Sequence, residues 1–463
     1  MKNCTLTLSL AAICCFVVLN IGLLTTFPKP FSPVVVYFEE QFHVEAAKTF
    51  AQFGLDHNAG LATLSKEWFI ETFVYGDKMI ENPEQDYFVY THYPSFTDLL
   101  AGIGASVFGT EKVYPLRILT LLINSVLLWV FLRHALALFP QKKVQIGFLV
   151  FFTLIAPMGW LSLHAISHHG YALYISLAFI GVMLPVFDTL HPTGTMHSKK
   201  LTLFFGFLTG LFTFDYFFIA LGTPLAVCCL FHGKNAFTQK SLRHLWLILG
   251  FWTGVGFTLA HTIHFMQVVA YYGSFTTAFQ DIFGSALYRL TGNQENYRFV
   301  EGLKERDDCL SAYCEAIRDL GPIKGRFQSI WDYIVLWTAD VPPFAHADIW
   351  PLVRGGFYLT IPIIGWGILA MTAVFFGRKK SFVHCLILFL STLILCSLWL
   401  FILLDHGTVH IHLLPRHYYF SFILLALFMF RLFSSKTKDY SVSNLFSYCA
   451  ENTPSGAMPG QSR

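Results

Sequence analysis

Long apolar segments recur along the chain, and short polar stretches separate most of them. Most of these segments come close to the ~20 residues that an α-helix needs to cross a bilayer. The pattern predicts ten membrane-spanning helices, at residues 5–27, 114–139, 144–163, 170–190, 201–217, 218–232, 242–264, 355–377, 382–404 and 413–433. The expected fold class is therefore an all-α polytopic membrane protein.

The apolar block at residues 201–232 is too long for one ordinary span, and Asp215 interrupts it. We divide the block there into two short helices, because an ionisable residue is costly inside a bilayer. Asp215 is accordingly interpreted as the end of a helix near water.

Two shorter patterns repeat apolar residues at helical spacing and predict helices that lie on the membrane surface. One covers residues 36–53, with an apolar stripe at Phe42, Ala46, Phe50 and Phe53. The other covers residues 94–109, with a stripe at Phe96, Leu99, Leu100, Ile103 and Val107. Asp98 lies within the second pattern and is expected to face water. Both predicted helices belong to one long loop, residues 28–113.

The composition agrees with a membrane location, since 55% of the 463 residues are hydrophobic and 13% are charged. In a typical soluble domain roughly a quarter of all residues are charged. Residues 1–27 have a basic start and a long apolar run without a small-residue cleavage pattern, so we expect an uncleaved signal anchor. The net charge of +3 gives no indication of a nucleic-acid partner. Cys309 and Cys314 share a polar loop, where a disulfide requires an oxidising compartment.

Charge predicts which side of the membrane each loop faces. Lys and Arg gather in the short loops near residues 142, 199, 234–243 and 378–380, which makes that side cytoplasmic. Of the 28 Asp and Glu residues, 12 fall in loop 28–113 and 11 in the large loop 265–354, both on the opposite side. We expect a transmembrane domain over residues 1–434 and a disordered cytoplasmic tail over 435–463. Both termini would be cytoplasmic, in a bacterial inner or plasma membrane or an ER-type membrane.

Four polar groups gather on the predicted non-cytoplasmic side. Glu39, Glu40 and His43 share one helical face, because residues three and four apart are neighbours on a helix. The remaining groups precede or connect predicted spans, and they are His92 with Tyr93, His168 with His169, and His410 and His412 with Arg416 and His417. The two glutamates are candidate catalytic residues, and the other residues are candidates for substrate binding.

These residue types suit group transfer from a lipid phosphate. A carboxylate can take a proton from an acceptor hydroxyl or amine, and the guanidinium of Arg416 offers phosphate a fork of donors that lysine cannot reproduce. Either glutamate fits the role of the acid, and Glu40 is slightly preferred. Simpler interpretations stay open, namely solvated loop acids and histidines that anchor helices at the interface. The spacing of His410 and His412 would suit a metal only with further ligands, so the metal site is unknown.

Together these motifs resemble the GT-C superfamily of glycosyltransferases, in the branch of protein O-mannosyltransferase-like and lipid A aminoarabinose transferase-like enzymes. The residues that carry the resemblance are Glu39-Glu40 after the first span, Tyr93-Pro94 through Phe108-Gly109, Arg117, and Arg416-His417-Tyr418-Tyr419 before the last span. It covers roughly residues 1–235 and the final span. The long first outer loop with interfacial helices belongs to the same pattern.

The resemblance implies an integral membrane enzyme that transfers a sugar from a polyprenyl-phosphate-linked donor by inverting displacement. Glu39 or Glu40 would be the general base or would orient a lipid, glycan or protein acceptor. The chain departs from the family in having Glu-Glu where the first motif usually has Asp. It also has His168-His169 where the second outer loop usually ends in an acid. No cofactor is certain, a divalent metal is possible, and the missing carboxylate puts metal dependence in doubt.

Two other classes of function remain alternatives. A transporter or flippase of a lipid-linked sugar needs polar residues along the spans, and the ionisable residues are instead predicted to gather on one face. A non-catalytic subunit of a glycan-assembly pathway would bind the donor without turning it over. The lack of an internal sequence repeat disfavours a transporter built from repeated halves.

Overall fold

The computed structural model describes residues 2–26, 37–65, 68, 87–110, 112–156, 158–189, 195–291, 319–321, 323–325, 327–328, 379–402 and 415–434. Within them the chain is almost entirely helical, apart from one two-stranded hairpin. The predicted span at 355–377, Cys309 and Cys314, His410 and His412, and the tail 435–463 lie outside the described residues.

The described elements follow one another as α1 (Lys2–Thr26), α2 (Tyr37–Phe53), a 3-10 turn (His57–Gly60), β1 (Ala62–Ser65), β2 (Tyr87–Tyr90), α3 (Phe96–Phe108), α4 (Tyr114–Ala137), α5 (Lys142–Leu154), α6 (Met158–Leu161), α7 (His168–Thr189), α8 (Thr195–Phe212), α9 (Phe217–His232), α10 (Asn235–Thr238), α11 (Lys240–Tyr272), α12 (Phe275–Thr291), α13 (Lys379–Ile402) and α14 (Pro415–Ser434). Among them α1, α4, α7, α11, α13 and α14 are long and apolar enough to cross a membrane. The protein is therefore a multi-pass α-helical membrane protein, and six of the ten predicted spans are present as long apolar helices.

The predicted span at 144–163 is not a continuous helix. α5 ends at Leu154, and only the short α6 precedes an irregular segment that leads into α7. The sequence has a proline at position 157, between the two helices, and a break is expected near a proline, which lacks the N–H that a helix needs and disfavours helical geometry in the preceding residue. Residues 162–167 are nevertheless buried. This segment is part of the protein interior, where irregular backbone can find hydrogen-bond partners.

The predicted division of the block 201–232 is confirmed. α8 ends at Phe212 and α9 begins at Phe217, and Asp215 lies between them. α8 packs closely along α11, because a Cβ at Gly206 would collide with the carbonyl of Thr253 and one at Gly256 with the carbonyl of Leu203. This close packing fixes the position of the break relative to α11.

α2 forms where the sequence predicts it, but its apolar stripe faces protein and not the membrane surface. Ala46 is buried with the apolar residues of the hairpin, in which Ala62 pairs with Tyr90 and Ser65 with Tyr87. Phe50 is buried and packs at Gly102 of α3, and of the predicted stripe only Phe53 is largely exposed. α2 thus lies between the hairpin and α3, which holds its acidic first turn in the interior.

α3 has 13 residues, about 20 Å of helix, which is too short to cross a bilayer. Its exposed large residues are Ile103, Val107 and Phe108, as expected for a helix at an interface. Asp98 does not face water as predicted; it is buried and directed towards α2. α7 lies at the centre of the helix packing, in contact with α4, α8 and α9.

Candidate functional site

The first turns of α2 direct three ionisable side chains into the protein. Glu39, Glu40 and His43 share one helical face, as the sequence predicts, and all three are buried. Each of the three side chains contacts a different partner. These partners indicate a different role for each residue, which the sequence alone does not.

Glu40 is bound by Arg117 of α4. The guanidinium donates from Nε to Oε1 at 3.0 Å and from Nη2 to Oε2 at 2.5 Å. The backbone N–H of Ile166 also donates to Oε1, at 3.3 Å. Two parallel charge-assisted hydrogen bonds fix both groups. Glu40 therefore ties α2 to α4 and to the segment before α7, and its oxygens are engaged.

Glu39 lies instead at the start of α7. Ser167 Oγ donates to Glu39 Oε1 at 2.5 Å and accepts the backbone N–H groups of His169 and Gly170 at 3.1 Å each. Ser167 is thus the N-cap of α7, whose positive helix end lies beside the carboxylate. His168 Nδ1 is 3.2 Å and His169 Nε2 3.9 Å from the same oxygen.

Burial raises the pKa of Glu39, although the positive charges of Arg416 and His43 and the hydrogen bond from Ser167 oppose the shift. A carboxylate with a raised pKa is a stronger base than an ordinary one. Of the two candidate catalytic acids, Glu39 has the environment of a proton acceptor and Glu40 that of a structural ion pair. The geometry favours Glu39 over the slight sequence preference for Glu40.

His43 connects Asp98 to His168. Its Nδ1 is 2.7 Å from Asp98 Oδ1, and its Nε2 is 3.1 Å from His168 Nδ1. Burial lowers the pKa of His43, but the carboxylate of Asp98, with those of Glu39 and Glu40, outweighs it and the net pKa is raised. His43 is thus held in place by a residue of α3 that the sequence analysis assigned to solvent.

Arg416 reaches the same cluster from the first turn of α14. Its Nη2 lies 3.4 Å from Asp215 Oδ2, and His169 Nδ1 lies 3.6 Å from the same oxygen. Arg416 is buried, and its Nε and Nη1 have no hydrogen-bond partner among the described residues. A buried guanidinium with open donors is suited to bind an anion, since buried polar groups are otherwise almost always hydrogen-bonded.

The other sequence candidates border this cluster or lie away from it. The ring of Tyr93 stacks on Phe214 at 4.6 Å and contacts the ring of His168 at 4.8 Å. His92 is directed to Asp281 at 3.1 Å. His417 is buried, with edge-on contacts to Tyr216 and Trp399.

Several site residues were not among the sequence candidates. Ser167 had a signal, because a serine directly before a helix is a capping residue. Asp215 had one as well, because a carboxylate inside an apolar block is a functional candidate by default. Asp98 and Asp281 are single acids on amphipathic helices, and nothing in the local pattern separates them from solvated residues.

Glu39, His168 and His169 could hold a divalent metal. Their ligand atoms lie within 4.8 Å of one another, and a cation with bonds of about 2.0–2.2 Å holds its ligand atoms roughly 3–4 Å apart. Two imidazoles and one carboxylate suit zinc and other first-row transition metals better than magnesium. Asp215 beside His169 is the kind of second partner that orients a ligating histidine.

Comparison of the chain with protein-family models, with curated proteins and with solved structures finds no match. The function is therefore inferred from the chemistry of the cluster itself. That cluster combines a buried carboxylate with a raised pKa, a buried guanidinium with two donors that have no partner among the described residues, and two histidines beside the carboxylate.

Proposed function

We propose that the protein is a GT-C type glycosyltransferase that moves a sugar from a polyprenyl-phosphate-linked donor to an acceptor on the non-cytoplasmic face. One observation supports this most strongly, the linkage of Glu39 to Arg416 through His169 and Asp215 at 3.9, 3.6 and 3.4 Å. A proton acceptor and an anion binder thus lie within one buried cluster. Sugar transfer from a lipid phosphate can use both, the acceptor for the proton of the attacking hydroxyl and the anion binder for the leaving phosphate.

In the proposed reaction Glu39 is the general base. The acceptor hydroxyl attacks the anomeric carbon, its proton passes to the Glu39 carboxylate, and the bond from the anomeric carbon to the phosphate oxygen breaks. The polyprenyl phosphate leaves with the bonding electrons. General-base help of this kind contributes roughly 100- to 10,000-fold to the rate. Glu40 does not serve here, because Arg117 occupies both of its oxygens.

Arg416 receives the leaving phosphate. Its planar fork can bind two phosphate oxygens, which an ammonium group cannot do. The contact to Asp215 at 3.4 Å is long for a hydrogen bond. It orients the guanidinium and leaves Nε and Nη1 for the donor. Positive charge that faces the departing phosphate stabilises the transition state more than the ground state.

The cluster carries more carboxylates than cations, so a bound divalent ion would improve its charge balance. His168, His169 and one oxygen of Glu39 would hold it, the second oxygen of Glu39 would remain for the acceptor proton, and the ion would supply positive charge beside the donor phosphate. His43, whose Nδ1 is held by Asp98, positions His168 through its Nε2 in the structure described.

The test uses the purified full chain in nanodiscs that contain polyprenyl-phosphate sugars, with release of polyprenyl phosphate as the readout. Glu39→Gln should lower release at least 100-fold. Glu45→Gln is the matched control, since Glu45 lies on the same helix but pairs with Lys48 at 2.8 Å away from the cluster. Unchanged release with Glu39→Gln would overturn the proposal. Transfer of intact donor across sealed vesicles without cleavage would favour the flippase.

A further inference from the structure

α12 follows directly on the membrane-spanning α11. α11 ends at Tyr272, Gly273 takes the left-handed conformation with φ 61°, and α12 begins at Phe275. Glycine accepts this conformation without the cost that a Cβ would add. The chain turns back there, because the ring of Phe275, in the first turn of α12, meets the ring of Phe265, about two turns before the end of α11, at 5.2 Å.

α12 has three longitudinal faces of different character. Phe275, Phe279 and Phe283 form one face, four residues apart, and are 62%, 49% and 53% exposed. Thr276 and Gln280 are exposed along the neighbouring edge. The opposite face is buried and consists of Ala278, Asp281 and Ser285.

We propose that α12 lies flat in the lipid–water interface, with its phenylalanine face in the acyl region of the leaflet. A helix with one aromatic face and a polar edge is typical of in-plane membrane helices. The exposed apolar residues of α11 lead to this face, since Leu259, Ile263 and Met266 are also largely exposed. The same lipids that surround the end of α11 would then cover Phe275 and its neighbours.

The buried face of α12 is tied to the candidate site through Asp281. Its carboxylate accepts hydrogen bonds from Thr91 Oγ1 at 2.6 Å, from His92 Nε2 at 3.1 Å and from Tyr272 OH at 3.1 Å. Thr91 is fixed a second time, because His264 Nε2 donates to its carbonyl at 2.8 Å. The residue after His92 is Tyr93, whose ring contacts His168.

The position of α12 in the lipid is thereby linked to one wall of the cluster. Thr91 and His92 join the hairpin to α3, and Asp281 holds them against a helix whose other side is in lipid. Asp281 is thus a positioning residue, acting through Tyr93 on His168. This linkage does not depend on which reaction the cluster catalyses.

Photocrosslinking tests the lipid contact. A photoreactive p-benzoylphenylalanine is placed at position 279 in one variant and at position 280 in a second, matched variant. Both are irradiated in native membranes, and adducts are identified by mass spectrometry. The variant with the probe at position 279, on the phenylalanine face, should give phospholipid adducts at least fivefold more often than the variant with the probe at position 280. Equal lipid labelling at the two positions, or adducts of position 279 mainly to peptides of this chain or of another protein, would overturn the proposal.

Hydrogen exchange of the full chain in nanodiscs tests the linkage to the site. Asp281→Asn should speed amide exchange in residues 91–95 at least fivefold, and Phe279→Ser should do so to a smaller extent. Ser285→Ala, on the same buried face but outside the Asp281 hydrogen bonds, is the control and should leave exchange there unchanged. If Asp281→Asn leaves the exchange of residues 91–95 at the wild-type rate, the linkage is refuted.

Discussion

Arg117 binds both carboxylate oxygens of Glu40, so the second glutamate of the acidic pair is a buried ion-pair partner, whereas the first is the base in the reaction that we propose. Two adjacent residues of identical type thus have separate roles. The difference arises because neighbours on a helix point about 100° apart. Glu40 faces α4, and Glu39 faces the start of α7.

Removing one member of the Glu40–Arg117 ion pair should destabilise the protein more than removing both members. Glu40→Gln leaves the Arg117 charge buried without its partner, which costs about 3–5 kcal/mol. We expect Glu40→Leu combined with Arg117→Met to cost less than either single change. Thermal unfolding of the detergent-solubilised protein ranks the variants by stability.

The matched control is the pair Asp188 and Arg431, at 3.2 Å with side chains 42% and 36% exposed. Asp188→Asn should cost no more than about 1 kcal/mol, because exposed pairs are screened by water. If the variant with both Glu40→Leu and Arg117→Met is as unstable as Glu40→Gln, the assignment of Glu40 to a buried ion pair is contradicted.

Arg416→Lys should weaken donor binding while the fold persists. Lysine keeps the charge but loses the fork, and one charge-assisted hydrogen bond is worth about 1.5–3 kcal/mol. KM for the polyprenyl-phosphate donor should therefore rise roughly 10- to 100-fold. Arg431→Lys, near the other end of α14, should leave KM unchanged. A wild-type KM with Arg416→Lys would show that the guanidinium does not contact the donor.

The protein purified in the presence of Zn²⁺ should retain about one ion per chain through gel filtration. Elemental analysis measures the ratio, and the combined change of His168→Ala and His169→Ala should abolish retention, because two of the three donors are lost. His197→Ala is the control, since His197 is exposed and distant in sequence from the cluster. Equal zinc in the double variant and the wild type would place the metal elsewhere.

His164 should make the fold sensitive to acid. Burial, reinforced by the nearby Arg117 charge, lowers the pKa of His164 to about 3, while the ordinary value is 6.5. Between these values the unfolded chain binds a proton that the folded chain does not, so stability falls as the pH drops below 6.5. At pH 5 this loss is about 2 kcal/mol.

His164→Asn should remove that component, because its amide can still pair with Asn20, which accepts from His164 Nδ1 at 2.6 Å in the native protein. The measurement compares unfolding midpoints at pH 7.5 and pH 5 for the two proteins. A variant that loses as much stability at pH 5 as the wild type would show that other groups govern acid sensitivity.

The sequence predicts the elements of this protein better than it predicts their partners. Apolar length identifies six spans, and helical spacing places Glu39, Glu40 and His43 on one face. The break after α5 was not predicted, because the segment 144–163 is predominantly apolar and has the length of a span. The stripe of α2 was expected to face lipid, but Ala46 and Phe50 are buried in protein, because an apolar stripe has the same spacing whether lipid or protein covers it.

The partners could not be predicted because they are distant in sequence. His43 and Asp98 are 55 positions apart, and Asp215 and Arg416 are 201 apart. Periodicity reports the face of a residue within its own helix, but not which helix that face meets. An acid such as Asp98 therefore has the same local pattern whether it is solvated or hydrogen-bonded to a histidine.

The position of Arg416 in the chain also has a consequence for biogenesis. A membrane protein inserts from its N-terminus during synthesis, so Glu39, His168 and Asp215 enter the membrane well before the guanidinium that faces them. Until α14 packs, the growing chain carries buried acids without this countercharge. The cluster therefore acquires its final charge balance only when α14 has packed, late in synthesis.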